Sequence, residues 1–253
     1  MATTAAEPGK KTLGRKPKKA LTPFGGAIPI AIVGMVGALV GFFPTFFSKL
    51  HQTDVIHLVH GWTMTFWLVV VLTQALLIRS HQYKLHRVLG WSSIVLFALM
   101  FASSIQMVAV MLKGGSSVGL PYNFDKFFAY SDIIDIPLIL FLFGGAIYWR
   151  KDRYLHSRLV ATTVLSTIVP ALARFFNILI WRSIDGLFYA MHPTYLLILG
   201  LLAASIYVDW KNGKLRWPLQ FVFAWFVMDY VTVWPASQSQ WFEPIAQAFA
   251  SLA

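Results

Sequence analysis

Three pairs of polar residues stand three apart within apolar stretches: His57/His60, Asp132/Asp135 and Arg174/Asn177. Residues three apart share one face of a helix, so each pair predicts a polar stripe on an otherwise greasy helix. Imidazoles and carboxylates so placed can ligate a metal, move a proton or hold a polar solute. An arginine in such a place needs an anion or water, because its guanidinium does not shed its proton. His192 and Asp229 are single residues of the same kind. A second set repeats: His86 and Arg87 within Leu85-His-Arg-Val-Leu89, then His156 and Arg158 within Leu155-His-Ser-Arg-Leu159, seventy residues later.

Composition decides which elements carry these residues. Of 253 residues 57% are hydrophobic and only 12% charged, with a mean hydropathy of +0.64. So few charges cannot coat the surface that this length would present to water. Cysteine is absent, which excludes a disulfide scaffold, iron–sulfur clusters, thiolate zinc sites and c-type haem attachment. Seven apolar runs, 26–47, 55–78, 88–112, 128–149, 158–180, 187–208 and 217–234, meet or approach the roughly 20 residues that cross a bilayer. The expected fold is therefore all-α, an integral membrane bundle of seven transmembrane helices. Residues 1–24 read as a disordered basic tail, 25–235 as the membrane domain and 236–253 as a short interfacial segment with a helix starting at Glu243-Pro244. The Gly-rich then aromatic stretch 113–127 is expected along the interface.

Basic residues set the orientation, because they accumulate on the cytoplasmic side. The tail and the loops after the second, fourth and sixth runs hold sixteen of the 21, and five lie elsewhere. Seven spans with a cytoplasmic N-terminus and an outer C-terminus satisfy every loop. The polybasic tail then faces anionic lipid. Gly37 and Gly41 have the spacing of close helix packing.

Counting at 1.5 Å per residue from the inner loops puts His60 at about 28 Å, His192 at about 26 Å, Arg174 at about 24 Å, Asp135 at about 22 Å and Asp229 at about 20 Å. One outer layer thus collects ionisable groups from five spans, each costly in lipid unless paired or hydrated. His57 and His192 are also explained as idle interfacial groups, and Asp132 as an outer helix cap. For Arg174 the cheapest arrangement is an ion pair with Asp135, Asp229 or both, either purely structural or part of a polar binding pocket.

The inner loops also point to repetition: runs 2–3 and 4–5 look like repeated hairpins, with Arg216 standing where a third histidine would be. Leu-His-Arg-x-Leu-Gly at 85–90, His156-Ser-Arg-Leu and Val-Pro-Ala-Leu-Ala-Arg at 169–174 together resemble a family of uncharacterised bacterial polytopic membrane proteins. More distantly, paired histidines on a helical bundle resemble cytochrome b561-like proteins. The first likeness implies a bacterial inner membrane. The second implies haem b, with His86/His156 and His60/His192 as axial pairs, Arg87, Arg158 and Arg174 on the propionates, and quinone or a redox protein as partner. This chain differs from the b561 pattern in placing His86 and His156 at helix starts.

Three classes follow. One is a b-haem protein carrying electrons across the membrane. Another is a non-redox carrier or binding protein built on the outer pocket of His57, Asp132, Asp135, Arg174, Asn177 and Asp229. The third is a metal-dependent hydrolase using His57, His60, Asp135 and His192, which lacks any HExxH or nucleophile motif. No Gly-rich phosphate loop follows a strand, so nucleotides and nucleic acids are not expected partners.

Overall fold

Two aspartates start helices by accepting backbone N–H groups that have no partner within the first turn. Asp54 Oδ1 accepts from Ile56 N at 3.0 Å and His57 N at 3.1 Å, and Asp152 Oδ1 accepts from Tyr154 N and Leu155 N at 3.0 and 3.1 Å. The computed structural model describes residues 27–115 and 122–253, so the basic tail expected at 1–24 lies outside the described residues, as does part of the 113–127 stretch. The described elements are α1 (Ala27–Phe42), α2 (Val55–Arg79), α3 (Tyr83–Val110), α4 (Tyr122–Tyr148), α5 (Arg153–Thr167), α6 (Val169–Leu179), α7 (Gly186–Lys211), α8 (Trp217–Ser237) and α9 (Glu243–Ala250). A 3-10 stretch, Phe47–Gln52, lies between α1 and α2, and a π turn, Met111–Gly115, follows α3. All described regular elements are helical.

Among the described residues five helices are long and apolar enough to cross a membrane, or six if the bent pair α5/α6 is one span. The chain is a multi-pass membrane protein. Two proline effects separate this count from the seven uninterrupted runs. α1 is described over 16 residues, about 24 Å, and it ends before Pro44, whose ring disfavours helical backbone in the residue preceding it. The fifth run breaks at Ile168 with a bend of 49°. Pro170 explains the break, since it lacks an N–H and its ring meets the carbonyl four residues back. α4 also begins at Tyr122, six residues before the expected start, so much of the supposed interfacial stretch is helix.

The hairpins α2/α3, α4/α5 and α7/α8 pack as neighbours, while α1 lies against α2, α5 and α6. The α1–α6 approach depends on Gly41, where a Cβ would stand 2.2 Å from Ala171 O. At the core, the rings of Phe97 and Phe143 stack with centroids 4.1 Å apart beside Trp67. Val95, Leu196 and Val231 face outward, as lipid-facing positions should. After α7, Gly213 takes φ 64° and lets Lys214 N reach back to Asp209 O at 2.9 Å, which turns the chain into α8. α9 packs on α3, α4 and the π turn and buries Phe242 and Ala246 at its start.

Candidate functional site

A cavity of about 390 Å³ opens where α5 breaks into α6, a size within the usual range of small-molecule sites. Its charged and polar wall is Lys49, Gln52 and Asp54 from the segment before α2, His57, His60 and Thr65 from α2, Ser131 and Asp132 from α4, and Thr167 and Arg174 from either side of the break. Phe42, Met64, Leu68, Met111, Phe128 and Met191 belong to its apolar lining. The segment after α1 forms one rim, with Phe46 lying so close over Gly61 that a Cβ there would meet its ring at 2.3 Å. Irregular backbone at membrane depth is tolerated where it lines a cavity, as this broken helix does.

Each polar group is held differently. His57 Nδ1 donates to Asp54 Oδ2 at 2.6 Å. Burial pushes the Asp54 carboxyl up, but the backbone N–H and ring of His57 outweigh it and hold the group below the usual carboxylate range. His60 Nδ1 shares a hydrogen bond with Ser103 Oγ at 3.3 Å, and Thr63 Oγ1 meets the same hydroxyl at 3.2 Å. Asp132 makes no hydrogen bond or ion pair with any described residue. It is not a helix cap, because α4 starts ten residues earlier.

Arg174 does not form the expected ion pair with Asp135 or Asp229. Its Nη1 donates to Pro170 O at 3.1 Å, its guanidinium sits 4.7 Å from the Phe42 ring centroid, and no described carboxylate lies within 4.0 Å. The kink is the reason: α6 packs on α1 and α7, whereas the two acids lie between α4 and α8. There Asp135 Oδ1 accepts from Trp225 Nε1 at 2.9 Å. Asp229 Oδ2 accepts from Ser131 Oγ at 2.5 Å and from Tyr195 Oη, while its Oδ1 is buried with no hydrogen-bond partner among the described residues. Neutral donors on neighbouring helices do what the arginine was expected to do. Asn177 is also apart from the cavity, with its Nδ2 on Ser183 O at 2.9 Å and its place in a separate hollow with Arg182.

The histidines divide. His86 and His156 are each the fourth residue of their helix, and their ring centroids stand 6.2 Å apart at 89°. His156 Nδ1 donates to Ala146 O at 2.8 Å, which leaves Nε2 with its lone pair, and His86 Nδ1 is buried with no hydrogen-bond partner among the described residues. His60 and His192 are not brought together: His192 is exposed and bonds Tyr230 Oη at 2.8 Å, beside α8. Arg87 is exposed at the start of α3. Arg158 is committed to Asp209, with Nε on Oδ2 at 3.0 Å and Nη2 on Oδ1 at 2.5 Å, and Tyr154 Oη adds a third bond at 2.7 Å.

Asp209 went unrecognised as a site residue, as did Ser131 and Tyr195. The signal for Asp209 was present: a lone acid at the inner end of one apolar run, level with an arginine at the start of another. The zinc set does not assemble, since no three His, Asp or Glu side chains among the described residues are placed to share a metal ion. Comparison with known proteins gives no match to a family model, a curated protein or a solved structure. Fold and site together define a polytopic helical membrane protein with a polar cavity at a broken helix.

Proposed function

We propose that this protein is a non-redox carrier or binding protein of a bacterial inner membrane, and that it takes a small polar solute into the cavity at the α5/α6 break. One observation carries the reading: Arg174 and Asp132 line a common cavity, and neither makes an ion pair with a described residue. Charges left so in a membrane are expensive unless a ligand or water meets them, and broken helices at mid-membrane are where transporters build substrate sites. In this reading α1 and the bent pair complete seven spans, with the N-terminus inside and the C-terminus outside. Reporter fusions at Lys16, in the 81–84 loop and after Ala253 test that topology. The function is tested by a thermal-shift screen of polar solutes on the purified protein, followed by uptake into proteoliposomes. A stabilising solute whose effect disappears in Arg174→Leu supports it; a flat screen sinks it.

A second reading has its own observation. The spacing of His86 and His156 and the Nδ1 bond of His156 suit an axial pair for haem b, which would supply one-electron redox chemistry when bound. The propionate side fits less well, because of the two arginines expected there Arg158 is engaged by Asp209 and Arg87 is exposed. A reduced-minus-oxidised visible spectrum decides it. A colourless protein from haem-supplemented cells rejects the reading, whereas a haem spectrum lost in both His86→Ala and His156→Ala supports it.

A further inference from the structure

The geometry points to a zwitterionic solute with an apolar side chain, an α-amino acid by class, bound with its carboxylate on Arg174 and its ammonium on Asp132; this rests on reading the cavity as a binding site. The two side chains come from different helices, α6 and α4, and line one cavity without closing to within 4.0 Å of each other. A structural ion pair would have closed that gap, because opposite charges in a low-dielectric interior gain most in contact. Held apart, they present a cation and an anion to whatever occupies the space between. A simple anion would satisfy Arg174 and be repelled by Asp132, a simple cation would have the reverse fault, and Lys49 and Asp54 add one charge of each sign to the same lining. A molecule carrying both charges satisfies both. The start of α6, an 11-residue helix entering the cavity at Val169, adds positive potential on the arginine side. Met64, Met111, Phe128 and Met191 leave an apolar wall for an aliphatic or aromatic side chain.

The test is isothermal titration of the purified full chain in detergent with L-leucine, L-methionine and L-phenylalanine, each beside its N-acetyl and its amide derivative. At least one free amino acid is expected to bind, with both its derivatives at least tenfold weaker because each removes one charge. Arg174→Leu and Asp132→Asn should each weaken it at least tenfold, and Arg174→Lys should restore part of the loss. An N-acetyl form binding as tightly as its parent makes the ligand a plain carboxylate, and an amide binding as tightly makes it a cation; either overturns the proposal. If none of the amino acids binds while another solute stabilises the protein in the thermal-shift screen, the zwitterion is wrong and the binding site stands. If no solute of any class binds, both fall. The wild-type series gives its answer even if a variant fails to fold.

Discussion

Arg158 on α5 and Asp209 at the end of α7 form a two-point ion pair, with nitrogen–oxygen distances of 3.0 and 2.5 Å, that fastens the second hairpin to the third at one end of the bundle. The carboxylate is nearly inaccessible, at 3% exposure against 14% for the arginine. Removing the arginine alone leaves a buried charge whose remaining partner is the Tyr154 hydroxyl. Arg158→Leu should therefore cost about 3–5 kcal/mol, and the double change Arg158→Leu with Asp209→Leu should recover most of it. Thermal unfolding in detergent measures both. A single variant as stable as wild type would mean that Asp209 reaches water.

Arg174 should behave in the opposite way. No described carboxylate lies within ion-pair distance of it, and Asp132 feels its charge only across the cavity, so Arg174→Leu gives up chiefly its contact with Phe42, about 0.5–1 kcal/mol for a cation–π pair. The protein should stay folded and lose its solute response. A collapse in stability like that of Arg158→Leu would reveal an acid partner that the geometry does not contain.

These two arginines mark what the sequence made legible. Apolar run length exposed the helical membrane architecture, and the depth count put His60, Asp132 and Arg174 at one level, where the structure finds them on one cavity. Depth carries no azimuth, however. The direction in which Arg174 faces depends on a 49° bend at a proline, and whether Arg158 meets Asp209 depends on which helices touch. His192 shows the same gap: counted into the same layer, it lies exposed against Tyr230. Partners such as Ser131 and Tyr195 were invisible because hydroxyls are common on membrane helices and gain meaning only once Asp229 lies beside them.

The C-terminal helix should come loose in acid. Lys126 donates to Glu243 Oε2 at 3.1 Å, and this bond, helped by Tyr122 and Gln247, holds the carboxyl below its ordinary value of 4.5. A depressed carboxylate stabilises the folded form fully above that ordinary value, and the contribution fades as pH falls through the lower folded one. Trp241, next to α9 and exposed, gives a fluorescence readout. Between pH 7 and pH 3 its signal should change in wild type near the low end, and the change should be smaller in Glu243→Gln. An identical titration in the variant would separate α9 attachment from this carboxylate.

The closest helix crossing offers the strictest check on the cavity's framework. A Cβ on Gly41 would lie 2.2 Å from Ala171 O, and that atom is backbone, so it cannot rotate out of the way as a side chain would. Gly41→Ala must push α1 and α6 apart, at a cost of about 1–3 kcal/mol for overpacking. Gly144 is the control: a Cβ there meets nothing within 4 Å, and alanine should be neutral or slightly better for the helix. Because Phe42 and Ala171 both line the cavity, the displaced helices should also weaken solute binding in Gly41→Ala and leave it intact in Gly144→Ala. Thermal unfolding with and without solute reads both effects. Equal stability of the two variants would mean that α1 crosses α6 farther out than the glycine allows, and the wall carrying Arg174 would then be set by something other than this contact.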